Sequence, residues 1–104
     1  MELLENISIE KKANIYFDGK VTSRNIFLKS GAKKTLGIMM PGKYEFGTEK
    51  KEIMEIVAGK LKILLAGEAE WQNIDSGMSF EVQANSKFKI EVFSLTDYCC
   101  SYID

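Results

Sequence analysis

The sequence predicts an all-β domain, a sandwich or closed barrel of many short strands. Turn signals recur at short, regular spacing: Asp18-Gly19, Ser30-Gly31, Pro41-Gly42, Ala58-Gly59, Gly67 and Ser76-Gly77. Between them the chain is rich in β-branched and aromatic residues, with Pro41 as its one proline. Apolar residues recur with a period of two, which is the period of a half-buried strand.

The expected strands follow in order. Asn14 to Thr22 and Ile26 to Ser30 open the domain, and Thr35 to Met40 runs up to Pro41. Tyr44 to Thr48 places Tyr44, Phe46 and Thr48 on one face. Glu52 to Ala58 does the same for Glu52, Met54 and Ile56. In Leu61 to Ala66, Leu61, Ile63 and Leu65 oppose Lys60 and Lys62. Glu70 to Ile74 and Met78 to Gln83 come next. Lys87 to Phe93 alternates Phe88, Ile90 and Val92 with Lys87, Lys89 and Glu91. Tyr98 to Ile103 closes the chain with Tyr98, Cys100 and Tyr102 sharing a face. Only Met1 to Lys12 has apolar positions (Leu3, Leu4, Ile7, Ile9) that could form a short N-terminal helix. The expected organisation is an extension over residues 1–13 and one domain over 14–104.

A chain of 104 residues with 45% hydrophobic and 28% charged residues supports one folded domain with one core. A formal net charge of −1 gives no reason to expect a nucleic acid or an anionic membrane as partner. No apolar run approaches membrane-spanning length, and Met1 to Asn14 mixes acid and base with no apolar centre, so no signal peptide is expected. Cys99 and Cys100 are neighbours on an expected strand, where a mutual disulfide would be strained. They read as free thiols in a reducing, cytoplasmic setting.

The chain has no histidine. That removes the commonest general base and metal ligand, and every Ser/His or Cys/His nucleophile pair. Arg24 is the only Arg among 14 basic residues. Any phosphate site must then use Lys, backbone N–H groups, hydroxyls or Arg24 itself.

Two segments carry a resemblance to cupins. The first cupin motif runs from a glycine through His-x-His to a glutamate and a later glycine. Here Gly42 opens it, Phe46 and Thr48 stand at the histidine positions, and Glu52 precedes Gly59 by seven residues. The second runs from Gly77 through Gln83, at the proline position, to Phe88, at the histidine position. The frame resembles a cupin-type double-stranded β-helix, a jelly-roll barrel whose metal ligands have been replaced. One carboxylate among aromatics does not supply the three or four donors a transition metal needs, so no metal and no cofactor are expected.

A closer resemblance covers Asn14 to Ile103. Asn14-Ile-Tyr-Phe-Asp-Gly-Lys-Val21 resembles the opening N-x-Y-F-x-G-K-V of the pyrimidine/purine nucleoside phosphorylases. Gly37-Ile-Met-Met-Pro-Gly-Lys-Tyr-Glu-Phe-Gly-Thr48 resembles their G-V-M-x-P-G-x-Y-x-F-x-T segment. Glu52-Ile-Met54, Trp71, Gly77, Phe80, Val82, Asn85-Ser86 and Phe88 fit the patterns that follow, and Tyr98, Cys100 and Tyr102 fit the ending Y-x-C-x-Y. The chain departs where the family pattern has Arg between that Cys and Tyr, since Ser101 stands there. It departs again at Gln83, near a common Pro.

The resemblance implies a metal-independent, dimeric enzyme of broad specificity. It would convert purine and pyrimidine ribonucleosides and inorganic phosphate, the co-substrate, to free base and ribose 1-phosphate, as a pentosyltransferase. The rival reading is a non-catalytic metal-free cupin that binds a sugar or nucleotide.

Candidate residues follow from face and chemistry. Tyr44, Phe46, Phe88, Tyr98 and Tyr102 could stack a base and bind ribose, with Met54 beside them; each alone is more readily core filling. Thr48 offers a hydroxyl. Glu52 is an inward carboxylate, costly unless paired or used, with Lys20 as one ion-pair partner. As the candidate catalytic group it could protonate the departing base or, ionised, steady a cationic sugar. Lys20 is also the candidate phosphate ligand. Cys100 reads as a small buried hydrophobe rather than a nucleophile, and Trp71 is expected to pack under a hairpin.

Overall fold

The structure is a computed structural model and describes residues 2–104. Eleven strands form it: β1 (Ser8–Ile9), β2 (Asn14–Tyr16), β3 (Val21–Phe27), β4 (Lys33–Met39), β5 (Gly42–Gly47), β6 (Lys51–Ala58), β7 (Lys60–Leu65), β8 (Gln72–Asp75), β9 (Ser79–Val82), β10 (Lys87–Val92) and β11 (Thr96–Ile103). All pairings are antiparallel. One sheet of seven strands has the order β1-β3-β4-β11-β6-β9, with β2 also on β3; a second has the order β5-β10-β7-β8. The two sheets face each other as a jelly-roll barrel.

Alternation fixes which side chains meet inside. Leu61 and Ile63 of β7 and Phe88, Ile90 and Val92 of β10 turn from one sheet toward Met54 and Ile56 of β6 and Tyr98 and Cys100 of β11 on the other. The lysines between them, Lys60, Lys87 and Lys89, stay exposed. Each large aliphatic side chain buried this way contributes about 1.5–3 kcal/mol. No helix among the described residues is long and apolar enough to cross a membrane.

The expected N-terminal helix is not formed over residues 2–12; Met1 lies outside the described residues. Leu3 and Leu4 remain exposed, so a short helix here would have no buried face to stabilise it. Asn6 takes a left-handed φ of 56°, and Ser8 and Ile9 pair with Phe27 and Ile26 of β3. Pairing gives those backbone groups partners that an isolated turn of helix could not hold.

The first expected strand also differs. Phe17, Asp18 and Gly19 form a 3-10 turn with φ of 51°, 56° and 89°, which splits Asn14 to Thr22 into β2 and β3. The expected break over Ser23, Arg24 and Asn25 is continuous strand in β3. Trp71 is 41% exposed rather than tucked under a hairpin, with the Lys62 ammonium 4.9 Å from its ring centroid.

Candidate functional site

Register brings the site together on the inner face of the seven-stranded sheet. Glu52 of β6 lies opposite Tyr102 of β11, and Met54 lies opposite Cys100. Cys100 in turn faces Thr35 of β4, and Tyr98 faces Gly37, whose other neighbour is Ser23 of β3. From the second sheet, Phe46 of β5 is paired with Phe88 of β10, their rings 5.7 Å apart.

These residues line an inner cavity of about 170 Å³. Its apolar wall is Phe46, Phe88 and Met54. Its polar lining is Ser23, Thr35, Tyr98, Cys100 and Tyr102, with Glu52 at one end and Tyr16 at the edge. A second, outer cavity of about 470 Å³ shares Gly47, Glu52 and Tyr102 with the first, so the two meet at these three residues. The outer one adds Lys33, Glu49, Lys50 and Asp104.

Burial sets the protonation. It raises the Tyr98, Tyr102 and Cys100 pKa values far above their ordinary ranges, and the nearby Glu52 charge adds to the rise. All three keep their protons at neutral pH and act as neutral donors. The Cys100 thiol donates to Glu52 Oε1 at 3.4 Å, and Tyr98 donates to the Thr22 carbonyl at 3.3 Å. The Tyr102 and Thr35 hydroxyls lie 3.5 Å apart.

Glu52 is thus the single carboxylate of the inner cavity. Burial raises its pKa, while the Cys100 hydrogen bond and then the Lys33 charge pull it back down. It has no ion-pair partner within 4.0 Å among the described residues; the three pairs present are Lys50–Asp104, Lys51–Glu81 and Lys62–Glu91. The expected bridge to Lys20 is not made.

Six of the expected site residues therefore converge: Glu52, Phe46, Met54, Phe88, Tyr98 and Tyr102. Three stand elsewhere. Tyr44 donates its hydroxyl to the Met40 carbonyl at 2.6 Å and fills core beside Phe17. Thr48 donates to the Gln83 carbonyl at 2.6 Å and accepts from the Ser86 N–H at 3.1 Å, which ties two loops together. Lys20 is exposed just after the 3-10 turn and lines neither cavity. Ser101, at the family's Arg position, pairs with Lys34 and Ile53 and also lines neither.

Sequence reasoning left out Tyr16, Ser23, Thr35 and the thiol of Cys100 as a donor. For Ser23 and Thr35 the signal was present, since each shares the strand face of a buried apolar residue: Ser23 stands two residues from Val21, and Thr35 four residues from Met39. Phe46, Thr48 and Phe88 are the residues that the motif resemblance sets at metal-ligand positions, and neither phenylalanine carries a donor atom. Among the described residues no cluster of three or more Cys, Asp or Glu could hold a metal ion. The donor set does not fit a cupin metal.

Two facing antiparallel sheets with a cavity between them define a cupin-type barrel, here built around aromatic rings and one carboxylate. Over residues 11–102 the chain matches the family model described as pyrimidine/purine nucleoside phosphorylase. A pyrimidine/purine nucleoside phosphorylase from Hydrogenovibrio crunogenus is 56% identical over 104 residues, covering 100% of both chains. One from Leptospira interrogans is 57% identical over 103 residues, covering 99% of this chain and 97% of its own. A crystal structure of a protein of unknown function from Acinetobacter superposes with a TM-score of 0.94 at 35% identity, covering 97% of this chain and 98% of the other. The chain belongs to the pyrimidine/purine nucleoside phosphorylase family.

Proposed function

We propose that this protein is a metal-independent phosphorylase that cleaves purine and pyrimidine ribonucleosides with inorganic phosphate. The observation that carries the reading is the placement of Glu52 where an aromatic cavity meets a lysine-bearing one. The base lies in the inner cavity, between Phe46 and Phe88 and the tyrosines. Flat rings bind flat rings of either class, which supports breadth. The ribose lies at the junction, and phosphate approaches from the outer side.

In the reaction the anomeric carbon–nitrogen bond breaks with its electron pair going to the base. A phosphate oxygen forms the new bond to that carbon, and the proton of hydrogenphosphate ends on the base. Positive charge builds on the sugar between these events. Ionised Glu52 stabilises that charge and accepts from the ribose hydroxyls, while the Cys100 thiol holds one of its oxygens in place. Tyr98, Tyr102, Ser23 and Thr35 supply neutral hydroxyls that orient the substrate.

Incubation with guanosine or uridine, with and without phosphate, tests the reading by release of free base. Base release that requires phosphate, and persists unchanged in EDTA, is the expected result. Release without phosphate, or activity abolished by the chelator and restored by metal, rejects it.

Lys33 replaces Lys20 as the proposed phosphate ligand. It borders the outer cavity, its ammonium stands 4.9 Å from the Tyr102 ring centroid, and it has no carboxylate within 4.0 Å among the described residues. Lys50, the other amine there, is held by Asp104 at 2.5 Å. Removing a charge-assisted contact worth about 1.5–3 kcal/mol should raise the phosphate KM of Lys33→Gln about ten- to a hundredfold and leave the nucleoside KM near wild type. An unchanged phosphate KM would take Lys33 out of the site.

A further inference from the structure

The segment that leads into β3 is held in a conformation that its own residues disfavour. Phe17 and Asp18 both sit in the left-handed region, with φ of 51° and 56°. Such a φ is a genuine outlier for a bulky residue such as Phe. Strain of this kind persists only where surrounding contacts enforce it, and it gathers at ligand clamps and switch segments.

The contacts that enforce it can be named. The Phe17 ring packs 4.9 Å from Tyr44 and 5.5 Å edge-on to Phe46. On the other side Asn14 donates to Ser23 Oγ at 3.2 Å and to Asn25 Oδ1 at 3.0 Å. Phe46 and Ser23 are themselves cavity residues. The segment is thus anchored at both ends to the walls of the inner cavity.

Between the anchors stands Tyr16. It lines the cavity yet is 48% exposed, and its hydroxyl has no hydrogen-bond partner among the described residues. Every other tyrosine at or beside the cavity has one: Tyr44 on Met40, Tyr98 on Thr22, Tyr102 on Thr35. A large ring left half in water, at the edge of an aromatic cavity, has apolar surface still to bury. A bound base would bury it.

We propose that Tyr16, carried on the strained Phe17–Gly19 turn, closes the inner cavity over the nucleobase and sets nucleoside affinity through its ring face. This rests on the nucleoside phosphorylase reading above. The ring face does not distinguish purine from pyrimidine, so both classes should depend on Tyr16. The hydroxyl should matter little.

Steady-state kinetics of Tyr16→Ala and Tyr16→Phe with guanosine and with uridine, at saturating and at varied phosphate, test the proposal. Aromatic stacking on a base implies that Tyr16→Ala raises the nucleoside KM about ten- to a hundredfold for both substrates. The phosphate KM and the melting temperature should stay near wild type, and Tyr16→Phe should keep the wild-type nucleoside KM. A wild-type nucleoside KM in Tyr16→Ala overturns the proposal while wild-type base release still supports the enzyme. So does an equal rise in both KM values with a lower melting temperature, which would make Tyr16 a fold residue. A loss in Tyr16→Phe as large as in Tyr16→Ala assigns the role to the hydroxyl and overturns closure by the ring. Absence of phosphate-dependent release in the wild type rejects the enzyme reading and the proposal with it.

Discussion

Glu52→Gln should fold, melt higher than wild type at neutral pH, and lose about a hundred- to a thousandfold in turnover. The loss follows from charge. The amide keeps the size of the side chain and can still accept from the Cys100 thiol, which donates to Oε1 at 3.4 Å. What it cannot do is oppose positive charge on the sugar. Removal of one preorganised electrostatic group in a dry site costs about 2.7–4 kcal/mol in the transition state, which is the stated loss in rate. Because the hydrogen-bonding shape survives, the nucleoside KM should move much less than kcat.

The gain in stability has a definite sign and pH dependence. Burial raises the folded-state pKa of Glu52, against smaller opposing effects of Cys100 and Lys33. A carboxyl raised on folding contributes stability only while it is protonated, below its unfolded pKa. That contribution disappears as pH rises through the folded value, and above it the ionised group counts against the folded state. Gln is neutral throughout, so its melting advantage should grow from acid toward neutral pH. A buried ion pair would give the opposite sign, and no partner lies within 4.0 Å among the described residues. Melting curves across pH and phosphate-dependent base release, measured on one preparation, decide the matter. Wild-type turnover with a lowered melting temperature would make Glu52 a structural residue.

The inner face of the barrel was legible from period two alone. Glu52, Met54 and Ile56 share a face because alternate strand residues must, and Tyr98, Cys100 and Tyr102 meet them because β11 pairs with β6 in that register. Periodicity identifies a face but not a position along the barrel axis. Tyr44, Phe46 and Thr48 lie on one face of the same segment, yet only Phe46 reaches the cavity, because Tyr44 and Thr48 find backbone carbonyls first. The polar run Ser23-Arg24-Asn25 reads as a loop by composition. It is strand because its neighbours Asn14 and Thr35 lie in register on either side. Tyr16 was hidden for a different reason: its place depends on two non-glycine residues at positive φ, which local propensity argues against. Lys33 gave no local sign either, as its partner Tyr102 is distant in sequence.

Gly37→Ala should be a damaging one-carbon change, because it acts on the fold and the site together. Gly37 is opposite Tyr98 across the β4–β11 pairing and opposite Ser23 across β3–β4. A methyl group there would lie 2.1 Å from the Thr22 carbonyl oxygen and 2.8 Å from two atoms of the Tyr98 phenol. The carbonyl belongs to the adjoining strand, so relieving that contact shifts the β3–β4 ladder locally, and the phenol must leave as well. Its hydrogen bond to Thr22 goes with it. Overpacking of about 1–3 kcal/mol and a lost hydrogen bond of about 1 kcal/mol together imply a cost of about 2–4 kcal/mol. For a domain of this size that is a fall of about 10–20 °C in melting temperature. Gly67→Ala separates crowding from backbone strain: Gly67 has a φ of 79° but open space where the methyl would go. It should lose about 1–2 kcal/mol and keep the wild-type nucleoside KM. Gly37→Ala, by displacing a cavity wall, should raise that KM even in the fraction that remains folded. Equal melting shifts in the two variants, with both KM values unchanged, would mean that Tyr98 can move aside freely and that its position does not define the cavity.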